Sequence, residues 1–180
     1  LPDEQFAISM PSTWEIIPFN SKGTPEVLDA LMNKDPVLAK HINEELYLLG
    51  NAENFVFYAF DANPSLSKTD IPTINILNEA DGINIGLEHF VDQRVLQIEL
   101  FPNLIGKVSR SHMLNDLRSA ELEYKLNIPS SETKPTKTHV FEYLFARDSG
   151  LFYVTLSTPI NEYNDLIHTA KKIAESFRFI

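Results

Sequence analysis

The sequence predicts an α/β fold of the α+β type, a central antiparallel sheet with helices packed on its faces, in one domain spanning residues 1–180. Three observations predict it. The surest strand pair, residues 140–147 and 151–157, is joined across Asp148-Ser149-Gly150, too short a connection for parallel strands. Segments of apolar period two and segments of helical period follow one another as hairpin, helices, strands, helix, strands, hairpin, helix, rather than as strict strand–helix alternation. The length of 180 residues, with no repeat or low-complexity tract, fits one substantial core.

The elements follow from local patterns. Phe6, Ile8 and Met10 alternate with small or polar residues, Pro11-Ser12-Thr13 reads as a turn, and Trp14, Ile16 and Ile17 as the return strand of a hairpin. After a connection over 21–25, Val27, Leu28 and Leu31 predict a short helix. Val37, Leu38, His41, Ile42, Leu46 and Leu49 predict a second from Pro36, with Gly50 as its stop. Residues 54–62, with Phe55, Phe57, Tyr58 and Phe60, read as a strand, and 73–78, with Ile74 and Ile76, as the next. Residues 84–100 read as a helix, because Leu87, Phe90, Val91, Val95 and Ile98 recur at helical spacing while Glu88, Asp92 and Glu99 stay wet.

Period two returns after Pro102. Residues 104–110 form a strand, and Ala120, Leu122, Tyr124 and Leu126 alternate with Ser119, Glu121, Glu123 and Lys125 in another that ends at Pro129. Residues 130–138 lack large apolar side chains and read as a mobile surface loop. In the hairpin that follows, Gly150 supplies positive φ. Tyr163, Leu166, Ile167, Ala170, Ile173, Ala174 and Phe177 give 161–177 the stripe of a long helix laid on a sheet.

Charge and composition exclude several function classes. Lys plus Arg number 15 against 25 Asp plus Glu, a net charge of −10, so the basic footprint of a general nucleic-acid binder is missing. The absence of cysteine removes disulfides, thiolate metal sites and cysteine nucleophiles. No apolar run approaches the roughly 20 residues of a membrane span. The polar opening at 1–5 is not a signal peptide, and a start at Leu1 is compatible with a removed leader carrying a lipid anchor.

Two segments carry a family resemblance. Phe6-Ala-Ile-Ser-Met-Pro-Ser-Thr-Trp14 resembles the opening of PsbP-like domains, and Gly150-Leu-Phe-Tyr-Val-Thr-Leu-Ser-Thr158, with Tyr163 and Ile173-Ala-Glu-Ser-Phe177, resembles their closing strand and helix. The resemblance implies an antiparallel sheet with helices on its faces. It also implies binding or assembly rather than catalysis, since such domains serve as extrinsic photosystem II subunits, a Ran-binding nucleotide-release factor and bacterial envelope lipoproteins. Trp14 and Phe177 match as structural residues. The acidity of this chain and its helical region at 36–49 depart from the photosynthetic members and speak against a photosystem role. The expectation is a noncatalytic, bacterial, envelope-associated accessory domain in an extracytoplasmic or cell-envelope location. No catalytic, cofactor-binding or metal-ligating residue is assigned and no cofactor is expected.

His89, Glu88 and Asp92 share a helix face but lack the repeated spacing of a zinc motif, so an exposed polar face is preferred. His41 reads as partly buried and His168 as solvent-facing; His112 and His139 complete the five. Ser111 beside His112 is a sequence neighbour pair, and no nucleophile elbow is present. Glu121 and Glu123 could share a strand face as an acid and base, or form its wet side. Gly82 and Gly86 fall short of a nucleotide fingerprint, and Asp81-Gly82 reads as the turn before a helix.

Residues 1–103 hold 16 acidic and 5 basic side chains, whereas 104–180 hold 9 and 10. Folding that separates these halves would create an acidic surface able to steer a basic protein, peptide or cation. The loop at 130–138, with Lys134 and Lys137, is a second contact candidate. Two alternatives stay open: a small hydrolase on this scaffold, with a histidine in contact with a nucleophile or carboxylate, and a carrier of a small apolar ligand in a cavity lined by Phe57, Phe141 or Tyr153.

Overall fold

A computed structural model describes residues 6–17, 23–49, 55–63, 71–79, 86–112, 119–128, 135–147, 150–160 and 163–180. In chain order the elements are β1 (Phe6–Ala7), β2 (Trp14–Ile17), α1 (Gly23–Lys34), α2 (Pro36–Leu49), β3 (Phe55–Asp61), β4 (Thr73–Glu79) and α3 (Leu87–Glu99). They continue as β5 (Leu104–His112), β6 (Ser119–Ile128), β7 (Thr136–Arg147), β8 (Gly150–Pro159), α4 (Tyr163–Ser176) and β9 (Arg178–Phe179). Seven strands form one antiparallel sheet in the order β2-β3-β4-β8-β7-β6-β5, and β1 pairs with β9 in a separate ribbon. This is the α+β architecture expected.

Side chains alternate along a strand, so the register assigns each to a face. One face carries Ala59, Ile74, Ile76, Phe141, Tyr143, Phe145, Phe152, Val154 and Leu156, packed with Trp14 and with Ile173, Ala174 and Phe177 from the end of α4 and just beyond. The other face carries two cores. Ile17, Tyr58 and Phe60 meet Leu31 of α1 and Leu38, Ala39, Ile42 and Leu46 of α2. Ala120, Leu122, Tyr124, Val140, Leu144 and Leu151 meet Val91 and Ile98 of α3. The row Tyr58, Asn75, Thr155, Glu142, Leu122 crosses five strands and shows that α1, α2 and α3 share one face.

Local sequence explains the helix boundaries. Asp35 N–H donates to Leu31 O at 2.7 Å, and Asp35 Oδ1 accepts from Leu38 N–H at 3.3 Å, so one residue closes α1 and caps α2. Pro36 occupies the first helical position of α2, where its missing N–H is not needed. Gly86 precedes α3 at φ 76°, and Gly106 takes φ 81° where the β5–β6 ladder slips between Ile105 and Ser109.

Four expectations are corrected. The opening hairpin does not form: Phe6 and Ala7 pair with Phe179 and Arg178, and β2 pairs with β3. The turn before Trp14 exists, with Trp14 N–H donating to Pro11 O at 3.0 Å, but Phe6 is drawn to Phe57, Phe152 and Phe177. The loop at 130–138 is shorter than expected, because Thr136, Lys137 and Thr138 pair with Ile128, Asn127 and Leu126; residues 130–134 lie outside the described set. Phe177 follows α4 rather than ending it and leads into β9. Val37 sits on the predicted stripe of α2 yet is 53% exposed, since Leu38, Ala39, Ile42 and Leu46 supply the buried side.

The hairpin of β7 and β8 is closed by the pair Arg147 and Gly150, so Gly150 is the first residue of a strand. Gly50, Asp81-Gly82 and Asp148-Ser149 lie outside the described residues.

Candidate functional site

The charge imbalance between the two halves of the sequence becomes an imbalance between faces. The segment from α1 through α2 holds Glu26, Asp29, Asp35, Glu44 and Glu45 against Lys34 and Lys40, and α3 holds Glu88, Asp92 and Glu99 against Arg94. On the other face α4 and β9 hold Asp165 and Glu175 against Lys171, Lys172 and Arg178. Glu26, Asp29, Glu44, Glu88, Asp92 and Glu99 are exposed.

Among the described side chains, few of these charges are neutralised strongly. Arg110 of β5 donates to both Glu88 and Asp92, while Lys40–Glu44 and Lys34–Glu15 are solvent-exposed contacts of 3.8 and 3.7 Å, weak once screened. An open cleft of about 530 Å³ lies between α1 and α2, lined by Thr24, Pro25, Leu28, Asp29, Met32, Ala39 and Asn43. Met32 and, on α2, Val37 and Tyr47 leave apolar surface beside the carboxylates.

Beneath α3 lies a charged network that sequence spacing did not reveal. Glu142 of β7 is 0% exposed, and Arg94 donates to it twice, Nε to Oε1 at 2.6 Å and Nη2 to Oε2 at 2.8 Å. Tyr124 Oη donates to the same carboxylate at 3.2 Å, and the Arg94 guanidinium lies 5.9 Å from the Tyr153 ring centre. Tyr153 Oη in turn donates to Glu79 at 2.7 Å. Burial acts to lower the Arg94 pKa, but the bonds and charge of Glu142 more than offset it and raise the value. Burial, then the Glu142 charge, raises Tyr124. A bidentate, internally satisfied pair of this kind positions α3 on the sheet. The period-two pattern hid it, because Glu142 stands where an apolar residue is expected.

The opposite face carries a second polar row. Glu121 and Glu123 do share a face of β6, as expected. Ser111 Oγ donates to Glu121 at 3.1 Å, and His139 Nε2 lies 2.7 Å from Glu123 Oε1. Ser111 thus meets a carboxylate; the side chain of His112 lies outside the described set. His139 is 2% exposed and stacks on Phe141 with ring centres 4.9 Å apart. Burial lowers its pKa, Glu123 opposes that shift, and Lys125 adds to it. Burial first, then the carboxylates of Glu121, Glu175 and Glu123, raise the pKa of Tyr143.

His139 gives the protein a defined pH response. The unfolded chain binds a proton near 6.5 and the native chain only at lower pH, so the stabilisation is complete above 6.5 and is lost as pH falls through the native value. Urea midpoints measured between about pH 5 and pH 8 should fall on acidification, and His139→Gln should flatten that slope below about 6.5. An unchanged slope in the variant would assign the response elsewhere.

The remaining candidates stay apart. His89 and His168 are exposed and His41 is half-buried. Glu88 and Asp92 turn to Arg110, and no group of three ligands able to hold a metal occurs among the described residues. Phe57 and Phe141 lie on the α4 face, whereas Tyr153 lies on the α3 face, so the sheet separates the rings expected to line one ligand cavity.

No family model matches the chain, nor does any curated protein. Solved structures do. LpqN of Mycobacterium tuberculosis, described as involved in cell envelope biogenesis, aligns over 98% of this chain and 83% of its own, at 14% identity and a TM-score of 0.57. A putative regulator of unknown function from Pseudomonas aeruginosa aligns over 63% of this chain and 76% of its own, at 13% identity and 0.52. Cyanobacterial PsbP from Synechocystis aligns over 97% of this chain and 86% of its own, at 9% identity and 0.54. The fold is PsbP-like.

Within this PsbP-like fold, Trp14 and Phe177, from the two segments that carry the resemblance, are structural. Trp14 and Phe177 are both buried in the core beneath α4. The Arg94–Glu142 pair lies on the other face, beneath α3, and the Glu123–His139 pair borders the α4-side core through the stacking of His139 on Phe141. No helix among the described residues is long and apolar enough to cross a membrane.

Proposed function

We propose that this chain is a noncatalytic binding or accessory domain of the bacterial envelope type, which recognises a basic segment of a protein or peptide through the face formed by α1, α2 and α3. The observation that carries the reading is the placement of three acid-rich helices on one side of the sheet, with an open cleft between α1 and α2. Exposed Met32, Val37 and Tyr47 offer apolar anchors next to those charges, the mixture that an amphipathic basic segment complements. The described involvement of LpqN in cell envelope biogenesis supports an envelope setting; an extracytoplasmic location and a lipid-anchored form belong to the same proposal.

A synthetic peptide with alternating Lys and Leu tests the recognition. It should bind the full chain at about 50 mM salt and weaken as salt rises to about 300 mM, because exposed charges are screened over about 10 Å. Glu26→Gln, Asp29→Asn and Glu44→Gln together should weaken it about tenfold, at a few tenths to 1 kcal/mol per exposed charge. Equal binding by the triple variant would remove the acidic face from the mechanism. Recovery in the cytosolic fraction of the producing bacterium would count against the envelope setting.

A further inference from the structure

The cleft between α1 and α2 has a regular lining. Pro25, Leu28, Asp29 and Met32 of α1 recur at the spacing of one helix face, and Ala39 and Asn43 of α2 stand one turn apart across from them. The same two helices turn Leu31, Leu38, Ile42 and Leu46 to the sheet, so the cleft belongs to a second face of the pair. Ala39, 1% exposed, forms its floor, where a small side chain leaves depth between the helices. Met32 is 46% exposed, and Tyr47, one turn beyond Asn43, is 77% exposed and continues the α2 wall.

The walls restrict what the cleft can hold. Helices have no strand edge, so neither wall offers main-chain groups to an extended segment, whose own N–H and C=O groups would lose water without gaining a partner. A helix satisfies its main chain internally and presents ridges of side chains that interdigitate with those of α1 and α2. Leu28, Met32 and Ala39 suit the apolar stripe of such a helix. Charge selects the rest of it. Asp29 lines the cleft, and Glu26 and Glu44, each next to a lining residue in sequence, are exposed, against Lys40, which is paired with Glu44. The adjoining segments outside the described set, 18–22 and 50–54, hold one lysine and one glutamate, so the excess stays negative. None of the four described helices of this chain carries a net positive charge, so a second copy does not supply the complement.

We infer that the cleft seats a basic amphipathic helix of a partner protein, as a third helix on the α1–α2 pair. Apolar side chains of that helix enter over Ala39 between Leu28 and Met32, and its lysines or arginines flank them, with their aliphatic stems on the cleft rims and their charges at Glu26, Asp29 and Glu44. The inference rests on the reading of the acidic face as the receptor for a basic segment, and adds the conformation of that segment and its seat.

Two peptides of identical Lys, Ala and Leu composition test it against the full chain at about 50 mM salt, one with Leu at helical spacing and one with Leu at every second position. The helical-period peptide should bind about tenfold more tightly, the worth of one well-seated leucine, and should gain helix by circular dichroism as it binds. Met32→Gln should abolish that advantage and leave the weaker binding of the alternating peptide as it is. Since Met32 is 46% exposed, the variant should keep the thermal midpoint of the parent chain. Equal binding of the two peptides, or an advantage that survives Met32→Gln, would overturn the helical seat and leave the basic-segment reading standing. Binding of neither peptide would remove both. A helical-period peptide of Glu, Ala and Leu that binds as tightly would show that charge does not select the occupant, and self-association in sedimentation velocity that Met32→Gln abolishes would assign the cleft to a second copy of the chain. Either result refutes the inference.

Discussion

Arg94→Met should destabilise the protein by about 3 kcal/mol. The substitution removes both donors that neutralise Glu142, whose side chain is 0% exposed, and leaves a carboxylate facing Tyr124 alone. Losing one partner of a buried pair typically costs about 3–5 kcal/mol, because the other charge stays desolvated and uncompensated. The lower end applies here, since the Arg94 side chain retains 27% exposure and water can approach the vacated position. The double variant Arg94→Met with Glu142→Leu should recover most of the loss, since a packed apolar pair often matches a buried ion pair. Urea unfolding of the two variants decides the matter. A double variant no more stable than the single one would mean that the pair, rather than the stranded charge, supplies the stability.

Phe177→Ala should cost more, about 3–5 kcal/mol, the range for removing a buried phenylalanine. Its ring stacks on Phe145 with centres 4.5 Å apart and on Phe6 at 5.5 Å, and meets the edge of Phe179 at 5.3 Å. Phe177 therefore joins the large sheet, the end of α4 and the β1–β9 ribbon in one cluster. Loss of the ring should free the ribbon first, because β1 has two ladder positions and Phe177 is the nearest of the three rings around Phe6, with Phe57 and Phe152 at 6.2 Å. Backbone amides of β1 and β9 should exchange with solvent faster in Phe177→Ala while those of β7 and β8 keep most of their protection. Phe177→Leu should restore much of the stability. Uniform loss of protection across the sheet would show that the ribbon is not a separately opening unit.

The elements legible in the sequence share one property: each is decided within a dozen residues. The helix from Pro36 is legible because Asp35 caps it and proline fits its first position. The β7–β8 hairpin is legible because both strands are apolar and the link between them is short. The strand at 119–128 is legible because Ala120, Leu122 and Tyr124 alternate with Glu121 and Glu123, and that alternation also puts the two carboxylates on one face.

The elements that local pattern does not disclose depend on contacts far away in the chain. Phe6 and Ala7 look like half of a local hairpin, but their partners are Arg178 and Phe179. Ser9 is tied to the same distant region, its N–H donating to Ser176 Oγ at 2.8 Å. Thr136 to Thr138 lack the apolar content of a strand. They extend β7 because Leu126, Asn127 and Ile128 offer backbone groups to pair with, and pairing of main-chain groups needs no hydrophobic side chain. Glu142 was hidden for the same reason in reverse: a charge inside an apolar strand is tolerated only because Arg94, 48 residues earlier, reaches it.

By itself the sequence determined the types of the longer elements, the acid excess of its first 103 residues and the aromatic supply of the core, since these follow from local periodicity and from counting. Only the tertiary structure decided which face each helix covers. The parity of the strand register sends α1, α2 and α3 to one side and α4 to the other, and that step turns an imbalance along the chain into an acidic face. It likewise decided that Ser111 meets Glu121 and that His139 meets Glu123. Neighbours of this kind are set by the pairing of distant strands, a quantity that no local pattern of residues contains.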